Sequence, residues 1–160
     1  MSALNEPPLR TNFSLGSTYY KNCATLAFRL NKSKRVATEK NMVSWFEIPV
    51  SDFERALKFY ETIFDMELDV TEIDAYKMAF FPAFDGKVSG AICFGEGYIP
   101  SGAGSLLYLN ANPDLNLVLD RAAQLGGRVI VPKTLISSDV GYYAFIVDTE
   151  GNRVALHSDR

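Results

Sequence analysis

Two stretches of this chain carry the same succession of strand, helix and strand signals at a spacing of 61 residues. In the first, Val43 to Val50 reads as a strand, and Ser51 with Glu54 predicts a capping box that opens a helix. Phe53, Leu57, Tyr60 and Phe64 supply one apolar stripe, and Asp65 ends it. Strands are predicted near Glu67 to Thr71, Tyr76 to Phe81 and Val88 to Phe94, with short connections such as Asp85-Gly86 between them. In the second stretch Ser105 to Asn110 reads as a strand, Asn112 as a helix cap and Pro113 as the first helical position. Leu115, Val118, Leu119, Ala122 and Leu125 form the stripe, and Gly126 and Gly127 stop the helix. Strands follow at Arg128 to Val131, Tyr142 to Val147 and Arg153 to His157, with the last turn made by Asp148, Glu150, Gly151 and Asn152. The shift lays Trp45 on Leu106, Ile48 on Leu109, Asp52 on Pro113 and Asp65 on Gly126. The pattern repeats and the residues do not, so two βαβββ units of one architecture are expected, able to share one cavity between their sheets.

A chain of 160 residues, 48% of them hydrophobic, has material for one sizeable core. Its net charge of -3 offers no broad basic surface, which argues against a nucleic-acid partner. No apolar run is long enough to span a membrane, and no signal peptide is apparent, so no membrane role and a cytoplasmic location are expected. Cys23 and Cys93 form neither a disulfide framework nor a CxxC pair.

Residues 1–41 have a different character. Pro7 and Pro8, a mixed stretch containing a short strand candidate at Thr25 to Leu30, and the basic residues Lys32, Lys34, Arg35 and Lys40 show no lasting hydrophobic period. We read them as an extension, with Met42 as the natural start of the domain at 42–160; the alternative is an arm that packs on a partner subunit.

The stretch Trp45-Phe46-Glu47-Ile48-Pro49-Val50-Ser51-Asp52, continuing through Glu54-Arg55-Ala56, Lys58-Phe59-Tyr60 and Ile63-Phe64, resembles the opening of vicinal oxygen chelate proteins of the glyoxalase, bleomycin resistance protein and extradiol dioxygenase type. Leu125-Gly126-Gly127 with Val129 and Pro132, then Phe145-Ile146-Val147-Asp148 leading to Glu150-Gly151-Asn152, resemble that family's second module and closing turn. The matches span residues 43–157. The resemblance implies an α+β, glyoxalase-like fold in which two paired βαβββ modules form a curled mixed sheet around one cleft, commonly in homodimers. It also implies a divalent metal held by His, Glu or similar donors. Carried over by position, the first ligand site falls on Trp45, the third on Leu106 and the fourth on Ala155, none of which can bind a metal. The second falls between Ala91 and Glu96, where Glu96 is the one oxygen donor.

Alternation puts Trp45 and Glu47 on one strand face, Leu106, Tyr108 and Asn110 on one face of the counterpart, and Arg153, Ala155 and His157 together on the last strand. Trp45, Glu47, Tyr108, Asn110 and His157 are therefore the candidate ligand-binding residues, and Glu47 is the candidate for general-base work. The plainer reading of Glu47 is a structural pair with Arg153 or a neighbouring tyrosine; of Trp45 and Tyr108, ordinary core; of His157, a terminal surface position. A metal site from Glu47, Glu96 and His157 lacks any supporting motif. Gly95-Glu96-Gly97 and the Ser101 to Ser105 stretch read as connections over the cleft rather than phosphate cradles.

The expected function is metal-free binding of a small organic molecule, or metal-independent catalysis on one, with no cofactor. A divalent-metal-dependent lyase or dioxygenase of the glyoxalase type is the first alternative, and a non-catalytic interaction protein the second. If residues 1–41 are an extension, a chain starting at Met42 will keep the melting temperature of the full chain to within about 2 °C; a loss of soluble, cooperatively melting protein would show that they are structural.

Overall fold

The computed structural model describes residues 42–160 apart from residue 86. The strand candidate at Thr25 to Leu30, the whole of the 1–41 extension, and Gly86 of the Asp85-Gly86 connection lie outside the described residues. The order is β1 (Phe46–Pro49), α1 (Phe53–Phe64), β2 (Asp69–Ile73), β3 (Tyr76–Phe80), β4 (Gly90–Phe94), then β5 (Tyr108–Asn110), α2 (Leu115–Gln124), β6 (Arg128–Ser137), β7 (Gly141–Val147) and β8 (Arg153–Ser158). Each βαβββ module builds its own four-stranded mixed sheet, ordered β1-β4-β3-β2 and β5-β8-β7-β6. In both, the first strand runs parallel to the last and the other pairs are antiparallel. The fold is α+β, as expected from the repeat.

Several boundaries moved for physical reasons. Of the predicted first strand, Phe46 to Pro49 pairs with β4 and Val50 adds one amide bond to the Cys93 carbonyl, while residues before Phe46 lie beyond the start of β4 at Gly90. In the other direction, β6 runs past Pro132 to Ser137. It is an edge strand with register shifts, where a missing N–H is tolerated. The cap of α1 is Asp52, whose side chain accepts from the Arg55 amide, and not Ser51, whose hydroxyl is taken by Glu150. Asp114, not Asn112, caps α2 through the Asn116 amide; Asn112 instead accepts from the Asp159 amide. The buried stripe of α1 is Phe53, Ala56, Phe59, Tyr60 and Ile63, leaving Leu57 and Phe64 at its margins.

One hydrophobic core joins the modules, with Phe59 and Ile63 of α1 and Leu115, Leu119 and Ala122 of α2 in the same cluster. The inner faces of both sheets, including Ile48, Ile92, Ala144 and Leu156, pack on it. Gly90 is required where β4 meets β1, since a Cβ there would collide with the Phe46 carbonyl and ring. Among the described residues no helix is long and apolar enough to cross a membrane.

Polar groups then fix one module to the other. Tyr60 Oη donates to Asp148 Oδ2 at 2.7 Å, and Asp148 also accepts from the Glu150 and Asn152 amides and the Asn152 side chain. Asn152 donates onward to the Pro49 carbonyl at 2.8 Å. Glu150, its side chain fully buried, accepts from Arg55 Nε at 2.7 Å, from Ser51 Oγ at 2.7 Å and from the Ser51 and Asp52 amides. Burial alone would raise the Glu150 carboxyl, but the donors from Arg55, Ser51 and Asp52 outweigh it and hold it at about 2. A pKa depressed in the folded state stabilises above the ordinary carboxylate range, and that contribution is lost as pH falls toward 2. Glu150→Gln should therefore flatten the loss of stability between about pH 4.5 and 2. Tyr60→Phe should cost about 2 kcal/mol at neutral pH in urea unfolding; a wild-type urea midpoint for both variants would show that this turn does not hold the modules.

Candidate functional site

Strand register decides what each sheet presents. On the first, Glu47, Ala91 and Phe80 lie in one row, with Cys93 and Met78 beside them, on the face away from α1. On the second, Tyr108, Ala155 and Phe145 make the equivalent row, and Asn110, His157 and Tyr143 the next. Since the 61-residue shift lays Glu47 on Tyr108, Ala91 is the counterpart of Ala155. By this register the second metal-ligand position implied by the resemblance falls on Ala91, and Glu96 lies beyond β4 in an exposed turn.

The four positions are thus Trp45, Ala91, Leu106 and Ala155. None carries a donor, and among the described residues no group of three His, Cys, Asp or Glu side chains is placed to hold a metal. The residues do not fit the divalent centre. Aromatic rings stand in its place. Trp45 and Phe80 are 5.3 Å apart beside the fully buried Ala91, and Tyr108 and Phe145 are 6.1 Å apart beside the fully buried Ala155.

The sequence placed Trp45 and Glu47 together, and they are. Trp45 Nε1 donates to Glu47 Oε1 at 3.2 Å. The other oxygen, Oε2, accepts from Tyr98 Oη at 2.8 Å. The expected pair with Arg153 does not form; the tyrosine alternative does. Tyr98 was missed because it belongs to the Gly95-Glu96-Gly97 connection, where no periodicity assigns a direction. Its one sequence signal is a large aromatic closing a glycine-rich turn. Tyr76 packs edge-on against it at 6.2 Å, and any Cβ at Gly95, whose φ is 154°, would strike the Tyr76 ring. The result is a connected row, Phe80, Trp45, Glu47, Tyr98 and Tyr76, around one carboxylate.

Tyr108, Asn110 and His157 are brought together on the second face, apart from Glu47. His157 donates through Nε2 to the Val140 carbonyl at 2.7 Å, which holds the ring against the β6–β7 turn. Asn110 Oδ1 accepts from the Asn112 amide. The single cleft expected to collect all five residues is therefore divided in one chain: a cavity of about 190 Å³ includes Glu47 and Arg153, and another of about 300 Å³ includes Tyr108 and Asn110. The hydrogen bond to Glu47, with burial, pushes Tyr98 up to about 12, and burial with the negative charge of Glu47 pushes Cys93 to about 12. Tyr98 is then a standing donor and Cys93 a neutral thiol, so neither is an activated nucleophile.

Residues 42–156 match the sequence profile of the Glyoxalase/Bleomycin resistance protein/Dioxygenase superfamily. The chain belongs to this superfamily. A glyoxylase-like domain-containing protein of Didymella fabae is 30% identical over 122 residues, 71% of this chain and 91% of that protein. Among solved structures, a glyoxalase I variant of Zea mays superposes with a TM-score of 0.58 at 18% identity, over 73% of this chain and 44% of the maize chain. The chain thus spans less than half the length of that maize protein. An antibiotic binding protein from Streptomyces sp. CB03234 superposes with a TM-score of 0.53 at 24% identity, over 76% of this chain and 98% of that one. These superpositions establish the fold, and membership in the superfamily supports small-molecule binding.

Proposed function

We propose that this chain is a metal-independent binding protein for a small, flat organic cation, and that the cation sits against Trp45, Glu47 and Tyr98. The observation that carries the reading is the connected row of four aromatic rings around Glu47, at the module face where the superfamily's metal position is a tryptophan. A carboxylate among ring faces attracts cationic groups by both charge and ring quadrupole. The likeness in fold to an antibiotic binding protein is in keeping with this reading. Metal-dependent lyase or dioxygenase chemistry finds no set of ligands at Trp45, Ala91, Leu106 and Ala155 to support it.

The same reading includes a homodimer in the cytoplasm. Trp45 and Tyr108 stay 41% and 50% exposed in the single chain, more than aromatic core residues would be. Setting the first-module face of one copy against the second-module face of another would cover the exposed rings of both.

Trp45 is the only tryptophan of the chain, so its indole N–H gives one NMR resonance that reports on this face. Titration with 1-naphthylmethylammonium should shift it. Glu47→Gln should weaken the binding about tenfold, and Tyr98→Phe by a smaller factor. Equal affinity in wild type and Glu47→Gln would refute the assignment.

A further inference from the structure

The two modules repeat each other, but the turns that open their last strands do not. Between β7 and β8 the turn is short and its carboxylates are docked on the first module. Its counterpart between β3 and β4 is longer and, among the described residues, makes no such dock; it forms one wall of the cavity of about 300 Å³. The difference extends to what fills the two places. Under the 61-residue shift, Glu47, Ile48 and Pro49 beside the smaller cavity correspond to Tyr108, Leu109 and Asn110 beside the larger. Ile99, Ser101, Ala103 and Ser105, on the segment leading into β5, line the smaller one, and the Asn152 side chain holds the Ser101 amide there. No segment among the described residues takes that place over the larger cavity.

Its floor is Phe46, Phe64, Met66 and Phe81, rings and a thioether that are only partly buried by the core. Phe84 at the rim is 69% exposed. The charged and polar groups are nearly all donors. Lys87 is the one basic residue of the lining and no lining residue is acidic. Among the described residues Lys87 has no carboxylate partner, and neither the Tyr108 hydroxyl nor the Asn110 amide nitrogen donates a hydrogen bond. The Ser89 hydroxyl is already committed to the Phe81 carbonyl at 2.7 Å. An apolar floor, solvent-facing donors that no protein group engages among the described residues, and one cation on the rim complement an apolar body that ends in an anion.

We propose that this cavity is a second ligand site, separate from Glu47, and that it takes a small aromatic carboxylate. The rings lie against Phe46, Phe64 and Phe81, and the carboxylate meets Lys87, with Asn110 and Tyr108 as further donors. The chain's net charge of -3 gives no general attraction for anions, so selection for the carboxylate rests on Lys87. The charge preference is opposite to that of the Glu47 face, which makes the two sites separable by experiment.

The test is calorimetric titration of the full-length chain with 1-naphthoate, 1-naphthylmethanol and 1-naphthylmethylammonium, beside the Lys87→Gln and Glu47→Gln variants. Naphthoate should bind about tenfold more tightly than the alcohol, lose that margin in Lys87→Gln and keep it in Glu47→Gln. Val88→Phe, which narrows the mouth, should weaken both naphthoate and the alcohol while the melting temperature holds. Naphthoate binding that ignores Lys87→Gln, or that follows Glu47→Gln, overturns the proposal. So does naphthoate binding seen only in a chain starting at Met42, which would assign the cavity to residues 1–41. If naphthoate fails to bind while the ammonium probe still shifts the Trp45 resonance, this proposal falls and the reading of the Glu47 face stands; the converse result separates them the other way.

Discussion

Two buried carboxylates hold this fold to one arrangement. Asp148 and Glu150 leave the second module on a five-residue turn and end among donors of the first: Tyr60, Ser51, Asp52 and Arg55. A carboxylate at the N-terminus of a helix is favoured by the free amides and the helix dipole, and here the acid comes from the far end of the chain. Taking an anion out of water is costly unless its lone pairs are satisfied, and both acids are fully supplied. The turn also anchors Asn152, which bonds the Pro49 carbonyl at the end of β1. The strand that carries Glu47 and follows Trp45 is thereby tied to the other module.

The same contact explains where reading the sequence succeeded and where it stopped. Helices and strands follow from local periodicity, and the repeat made both modules legible before any pairing was known. Ser51 and Glu54 looked like a capping box because that motif is local; Glu150, 99 residues away, took the serine, and Asp52 became the cap. The strand read at Arg128 to Val131 continues past Pro132 because it lies on a sheet edge. Placing Trp45 beside Glu47 needed only the two-residue alternation of a strand. Tyr98 could not be placed that way, since a glycine-rich connection has no period to read. Nor could alternation show that the two open faces are separate within one chain, because it fixes the side of a strand and says nothing of how sheets are set.

The functional consequence lies in a pair of symmetric replacements. Ala91 and Ala155 occupy equivalent places, one in each last strand, and each is flanked by two aromatic rings. At two of the four positions that the resemblance assigns to metal donors, this chain has methyl groups beside aromatic rings. On the first face the charge is that of Glu47, held by an indole and a phenol. On the reading proposed above, recognition by ring faces and a fixed charge replaces recognition by a metal within the superfamily fold.

That replacement is tested most directly by measuring bound metal. Full-length protein purified without chelator should contain no stoichiometric transition metal, and nickel, zinc, manganese, iron(II) and EDTA should each leave its melting temperature unmoved, because only a ligand that binds the native state raises stability. One equivalent of bound metal, with a rise in melting temperature that disappears in Glu47→Gln, would contradict the account and return the chain to the metal-dependent side of its superfamily.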